Sequence, residues 1–481
     1  MDLACPVSFG GRSAEDRRYA VMRPFREQLD VEVSGSGYPF LDDLTAILRC
    51  RELHRLQGQQ QLSVAPSYDV RSRLAHTGDV GVVGELIARE LGLDQNSSDL
   101  VRAIASIHDI GHMPFNHCGE QAANALFEAH GMKWTHDAAG LRVINEWSNR
   151  GLSYPGLNLS LDILEGLAKR YWRYPGAGPY DRYNHDLAEL PPSILEINEK
   201  YTRCLPGEKP IQGLHLDEQN HIEGQIAAIA DWIAFTATDI ADGLRSGIMR
   251  VDAVKSSFPR AAKLYGDAAE QLREYRQRLE KYPAEERHAR YGLKRDTGAR
   301  TASIGSLMTT QITNMLIADV VAQTKANIKK EINAGNLRHG DDVRKLPHLL
   351  VAFSPEMQQE VEQFGAYCKK VFAPLDVPLA EAVELTIKDI VSGAMKLPAG
   401  WGQEQQRLRN AEDMEKKEPA LLELACAYLT CVANDGDVLR HIKENHQEFW
   451  HNNLEKHVIC KPISPVLPAD VKGEYRSGPG R

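Results

Sequence analysis

The chain has 481 residues, 42% hydrophobic and 26% charged, with a formal net charge of −9. This is ordinary globular composition and excludes a chain dominated by disorder, while the acidic balance disfavours the broad basic surface of a dedicated nucleic-acid binder. No run approaches the roughly 20 apolar residues needed to cross a bilayer, and the N-terminal stretch MDLACPVSFGGRSAEDRRY has no apolar signal core, so a cytoplasmic location without membrane contact is expected.

Helical signals dominate in chain order. Asp79–Leu91 places Val80, Val83, Ile87 and Leu91 on one face at helical spacing. Leu100–His108 is a second amphipathic helix, with Ser97, Ser98 and Asp99 as candidate caps. Further helices are expected at Asp137–Trp147, Leu161–Arg170, Ile222–Leu244, Ile304–Ile328, Met357–Val371, Leu379–Met395 and Pro419–Asn434. Gly/Pro-rich loops cluster between Tyr174 and Gly213. The charged stretch from Glu270 to Arg300 reads as a solvated helical face with ion pairs at helical spacing, and the Pro/Gly-rich tail from Pro462 as loosely ordered. Period-2 runs are scarce, so the expected fold is all-α with at most a few short strands. The expected division is an N-terminal arm (1–45), an HD-domain helical core (46–255) and an additional C-terminal helical region (256–481). The eight cysteines are scattered without a CxxC pair, which reads as reduced thiols rather than disulfides or a thiolate metal site.

Chemistry concentrates in HDIGHMPFNHCGE, His108–Glu120. Adjacent His108 and Asp109 at a helix end can reach one divalent ion, and imidazole with carboxylate suits Mn, Fe, Co, Ni, Zn or Mg better than a soft metal. His76, just before the preceding amphipathic helix, is a third candidate ligand. Asp231 is a fourth: it interrupts the apolar run of Ile226, Ile229 and Ile233, where an unpaired carboxylate is costly and a metal offsets that cost. His112 shares a face with His108 if the turn is helical. Gly111, Pro114 and Phe115 suggest a bend. His117 and Glu120, three apart, meet on a helix starting near Asn116, and a His oriented by a carboxylate is a good acid or base near neutral pH.

Together with RSRLAHTGDV, ADWIAFTATDIADGL, ELHRLQGQQQL, WTHDAAGLRVI and GLNLSLDILEGLAK, this segment resembles the HD-superfamily deoxynucleoside triphosphate triphosphohydrolases, the bacterial dGTPase-like family. The resemblance covers about half the chain, fades after Gly247, and returns faintly at CAYLTCVAND (Cys426–Asp435). It implies cleavage of a deoxynucleoside triphosphate to deoxynucleoside and inorganic triphosphate, with one divalent metal (Mn, Mg, Fe, Co or Ni) held by His76, His108, Asp109 and Asp231. It implies His117 as the catalytic histidine with Glu120 behind it, donating a proton to the leaving 5′-oxygen or serving as base on the nucleophile. His112, His136 and Arg73 fall at phosphate-side positions, Gln61 and Asp239 at positions that recognise the 3′-hydroxyl. Lys169, Arg170 and Arg173 are weaker phosphate candidates that read first as surface charge. Phe235 stands where relatives carry a Tyr beneath the sugar, Thr238 where a His is common and Gln59 where a Lys is usual, leaving base preference open between dGTP and a broad dNTP range. The resemblance also implies a homo-oligomer, a hexamer first. Two rival readings use the same residues: an HD phosphohydrolase acting on a dNMP, cyclic dinucleotide or alarmone, and a non-catalytic nucleotide-sensing module.

Overall fold

The computed structural model describes residues 6–24, 38–61, 70–148, 155–170, 190–203, 213–216, 218–246, 249, 251–279 and 298–455. Its α-helices in chain order are α1 (Ala14–Ala20), α2 (Leu41–Leu48), α3 (Arg51–Arg55), α4 (Arg73–Glu90), α5 (Gln95–Ile107), α6 (His117–Phe127), α7 (His136–Arg142), α8 (Leu161–Ala168), α9 (Pro192–Arg203) and α10 (Ile222–Ser246). They continue with α11 (Val251–Ser257), α12 (Pro259–Leu279), α13 (Gly298–Ala334), α14 (Pro355–Ser392), α15 (Trp401–Arg409), α16 (Met414–Cys431) and α17 (Asp435–Asn445). Among the described residues the fold is all-α, and the only β pairing is an isolated antiparallel bridge between Gln60 and Ser72. No described helix is long and apolar enough to cross a membrane.

Local chemistry accounts for the helix starts. Ser72 caps α4 by accepting from the Ala75 N–H, so α4 begins six residues before the expected Asp79 and takes in His76. Asp94 caps α5 by accepting from Ser97 N–H at 2.9 Å. The expected caps Ser97, Ser98 and Asp99 therefore lie inside that helix. α7 ends at Arg142 and the chain continues as a π-turn over Val143–Trp147. The two helices expected around 357–395 are one, α14, although Pro374 and Pro378 lie within its span. Its ends face different cores. Val361, Phe364 and Cys368 join the first, and Leu379, Val383, Ile387 and Ile390 join the second. Burial at both ends outweighs the two N–H donors lost at proline.

The first core runs from Val7 to Cys431 and is centred on α10, which packs on α4, α5 and α13. Ile226, Ala230, Ile233, Ala237, Ile240 and Leu244 line the buried stripe of α10. α4 and α5 approach closely because Gly84 has no side chain: a Cβ there would lie 2.7 Å from Val101 Cγ1. The second core joins α6, the C-terminal half of α14, α16 and α17. The HD segment lies where the cores meet, Ile110 in the first and Met113 and Phe115 in the second. The features expected at Arg173 and over residues 174–189, 280–297 and 462–481 lie outside the described residues; Pro192–Arg203, within the expected loop region, is helical.

Candidate metal centre

His76 from α4, His108 at the end of α5, Asp109 beside it and Asp231 from α10 converge in the buried interior. His108 Nδ1 lies 2.6 Å from the Ala105 carbonyl, to which it donates, which turns Nε2 toward the two carboxylates. That Nε2 is buried with no hydrogen-bond partner, yet faces Asp109 Oδ1 at 3.1 Å and Asp231 Oδ1 at 3.4 Å. His76 Nε2 lies 2.9 Å from the same Asp231 oxygen. Burial opposes charge on the His108 imidazole, but Asp109 and then Asp231 push it up to about 9, so the pocket calls for positive charge between the three groups, which a divalent ion would supply in the proton's place. Ligands about 2.1 Å from an ion are separated by roughly 3.0–3.4 Å, so these residues fit a divalent metal.

The outer carboxylate oxygens are held by arginines: Arg73 Nη1 donates to Asp109 Oδ2, and Arg170 Nη2 to Asp231 Oδ2. Burial works against ionising either carboxyl, but Arg73 and His108 hold Asp109, and Arg170 and His108 hold Asp231, well below the ordinary carboxylate range. Arg170 is thus buried, as is Lys169, which contacts Glu165 at 2.7 Å and donates to the carbonyls of His215 and Gln219. The expectation of surface charge at these two positions is corrected. The helix-end periodicity could not show that α8 terminates against the core.

A second histidine cluster adjoins the first through Asp109. His112 Nε2 lies 3.4 Å from Asp109 Oδ1, and the His112 ring stacks on His136 with centroids 4.0 Å apart. His117 meets both rings edge-on at 5.2 and 5.3 Å. Its side chain is 66% exposed, whereas His112 and His136 are buried. Glu120 Oε2 lies 2.8 Å from His136 Nδ1 but 3.5 Å from His117 Nδ1, so this carboxylate serves two imidazoles, the nearer being His136. Burial, Arg73 and His136 push the His112 imidazole well below its ordinary value, leaving it neutral.

Burial opposes charge on both members of the Glu120–His136 pair. Asp137 and Glu120 nevertheless hold His136 above its ordinary 6.5, and His136 and His117 hold Glu120 below its ordinary 4.5. The histidine's contribution to stability is present below 6.5 and lost as pH rises through its folded value; the carboxylate's is present above 4.5 and lost as pH falls. Both contributions are present between those values. Glu120→Gln should lower the His136 pKa in an NMR titration of its ring proton and show its largest stability deficit in that window. An unmoved His136 would rule out the pairing.

The loop joining the two clusters is strained and firmly held. Phe115 and Asn116 both have positive φ, 59° and 58°, a conformation costing about 1–3 kcal/mol per non-glycine residue. Asp435 at the start of α17 accepts from Phe115 N–H at 2.8 Å and Gln60 N–H at 2.9 Å. The Asn116 amide donates to the Gln60 and Gln61 carbonyls and accepts from Arg73 Nε at 2.8 Å. Arg55 donates to the Ile110 and His112 carbonyls from below. A Cβ at Gly111 would overlap the His136 carbonyl and the Gly140 backbone, so glycine lets the HD loop meet α7. Arg55 and Asp435 went unrecognised in the sequence, and Asn116 only as a helix start; their partners lie far along the chain.

Gln61 joins this loop through Asn116, and Phe235 and Asp239 lie four and eight residues beyond Asp231 on α10. Phe235 is half-buried and packs edge-on to Trp232 at 6.2 Å. Burial, then Asp242 and Asp231, pushes the Asp239 carboxyl up to about 8.

An HD-domain family model matches residues 73–236, which include the four converging residues and both histidine clusters. Among curated relatives, a deoxyguanosinetriphosphate triphosphohydrolase-like protein of Bartonella tribocorum is 30% identical over 86% of this chain and 90% of its own length. One of Mesorhizobium japonicum with the same description is 31% identical over 79% and 83%. A third, of Brucella anthropi, is 38% identical, with the match spanning 45% of this chain and about half (49%) of the relative.

Proposed function

Because the chain belongs to the deoxyguanosinetriphosphate triphosphohydrolase-like family of HD proteins, we propose that it hydrolyses a deoxynucleoside triphosphate to deoxynucleoside and inorganic triphosphate. The observation that carries this reading is the buried His76, His108, Asp109 and Asp231 set, joined through Asp109 to a histidine cluster with one exposed member.

When bound by those four residues, a divalent ion supplies Lewis-acid polarisation of a phosphate oxygen. Asp109 and Asp231 are balanced by Arg73 and Arg170, so the site does not add net negative charge against a polyanionic substrate. Water attacks the α-phosphorus, the bond to the deoxyribose 5′-oxygen breaks, and that alkoxide needs a proton. His117 is the exposed imidazole beside the buried cluster and supplies it. Glu120 orients His117 and, with Asp137, holds the His136 imidazole above its ordinary value beside the phosphates. His112, held neutral, lines the phosphate side without adding charge. Arg73 contacts the phosphates from its position between Asp109 and Asn116. Gln61 and Asp239 bind the 3′-hydroxyl. An Asp239 carboxyl pushed up to about 8 is neutral at pH 7 and can donate that hydrogen bond without repelling the triphosphate. Phe235 lies beneath the sugar.

The test is product identification with purified protein, Mn²⁺ and a panel of dNTPs, NTPs and dNMPs. Inorganic triphosphate from dNTPs supports the reading, while phosphate or pyrophosphate alone excludes it. His117→Ala should retain metal and lower turnover by about 10²–10⁴-fold. Tight dNTP binding by the unaltered protein without turnover in any divalent metal would instead identify a sensing module.

A further inference from the structure

A third group of metal-ligating side chains lies in the second core, outside the centre described above. Asp389 is in the last turn of α14, His441 in α17, and His446 is the residue that ends α17. Asp389 Oδ2 is 2.7 Å from His441 Nε2 and 2.7 Å from His446 Nε2. The two rings are 6.0 Å apart, inclined at 64°, so both nitrogens converge on one point from different directions. The donor atoms all lie within 4.8 Å of one another. Neighbouring cations are engaged elsewhere: Lys388 on Glu384, Arg440 on Asp437 and Lys443 over the Trp450 ring. Another carboxylate–histidine group among the described residues, Asp162, Glu165 and His221, differs in this respect. Arg12, Arg344 and Lys169 already neutralise it, so it needs no further cation.

We propose that Asp389, His441 and His446 form a second divalent-metal site that takes a borderline transition ion such as Zn²⁺. Two imidazoles with one carboxylate are a donor set for Zn²⁺, Co²⁺ or Ni²⁺, not for Mg²⁺ or Ca²⁺, which prefer all-oxygen shells. Side-chain exposures of 11%, 18% and 25% leave water access to complete the coordination. Opening the two 2.7 Å contacts by a few tenths of an ångström admits an ion at ordinary bond lengths. Coordination through Nε2 puts the His441 proton on Nδ1, so the Asn445 side chain, whose Nδ2 now lies 3.2 Å from it, turns to accept. The ion would pin the end of α14 to the end of α17. The first residue of that 11-residue helix, Asp435, grips the Gln60 and Phe115 backbone of the catalytic loops. His446 thus lies one helix, about 16 Å long, from Asp435.

Full-length protein stripped by chelator, dialysed against Zn²⁺ and freed of loose metal by gel filtration should retain two ions per chain. His441→Gln and Asp389→Asn should each retain one, Asp231→Asn one, and the Asp231→Asn/His441→Gln double variant none. Asp231→Asn protein should also show visible d–d bands with Co²⁺ and a higher melting temperature with Zn²⁺. These two measurements decide the matter even if the cluster variants fail to fold. Equal metal content in unaltered protein and foldable cluster variants, or no Zn²⁺ retained and no Co²⁺ bands in Asp231→Asn, overturns the site. Neither result bears on triphosphate release, which tests the proposed function separately.

Discussion

Asp231→Asn is expected to lose the catalytic metal and at least about 10³-fold of turnover, because one substitution removes a ligand and unbalances the centre. Asp231 Oδ1 faces His76 at 2.9 Å and His108 at 3.4 Å, and Oδ2 accepts from the buried Arg170. Asparagine keeps the shape but not the charge. Two imidazoles and Asp109 then remain as ligands, and Arg170 loses its nearest carboxylate, keeping Asp137 at 3.9 Å. Removing one partner of a buried ion pair costs up to about 3–5 kcal/mol, so the variant should also melt below the unaltered protein. Metal analysis, steady-state turnover with Mn²⁺ and a thermal melt check the three consequences. Retention of the metal that cluster variants at Asp389 and His441 still hold, with turnover intact, would remove Asp231 from the centre.

Arg344→Met should destabilise the fold by about 3–5 kcal/mol at pH 7 without touching any residue of the metal centre. Arg344 is buried and pairs with Glu165 at 2.8 Å, Asp16 at 3.1 Å and Asp162 at 3.2 Å. Arg12 pairs with Asp16, Asp162 and Glu223 on the other side, and Lys169 with Glu165. This network joins α1, α8, the start of α10 and the turn at 340–345. Methionine fills much of the volume but leaves carboxylates facing one another. The pH dependence follows from Glu165, whose ionisation burial opposes but which Arg344 and Lys169 hold well below its ordinary 4.5. Its contribution is present above 4.5 and lost as pH falls through the folded value, so the gap between variant and unaltered protein should narrow as pH falls below about 4.5. Urea unfolding at pH 7 and pH 4 measures this; a difference within about 1 kcal/mol at both would mean the network contributes no net stability.

How far the sequence reaches depends on the range of the interaction. The all-α class, α5 and α10 follow from apolar spacing at three and four residues, which acts within one or two turns, and the start of α6 from the bend at Gly111, Pro114 and Phe115. Asp231 could be singled out because it interrupts an apolar helical stretch where a carboxylate needs a partner, His108 and Asp109 as an adjacent pair at a helix end, and His76 as the histidine before the preceding helix, while the family resemblance joined them as a set. The structure brings all four together. His117 and Glu120 were legible as a pair three residues apart, but His136, which lies nearer to Glu120, comes from another helix.

The tertiary structure alone decided the rest. Arg170 reads as surface charge until α8 is seen to end against α10, 61 residues away, where Asp231 accepts from it. Asp435 carries no signal in the sequence until α17 is placed against Phe115, 320 residues earlier. Met357–Val371 and Leu379–Met395 read as two helices until each end of α14 is seen buried in its own core. In each case a local preference is modest, whereas pairing a buried charge or covering an apolar face contributes several kcal/mol. The sequence by itself determined the helices and the chemical types at the centre, since these depend on neighbours within a turn or two. Which charge meets which depends on how the two cores dock, and no local spacing encodes that.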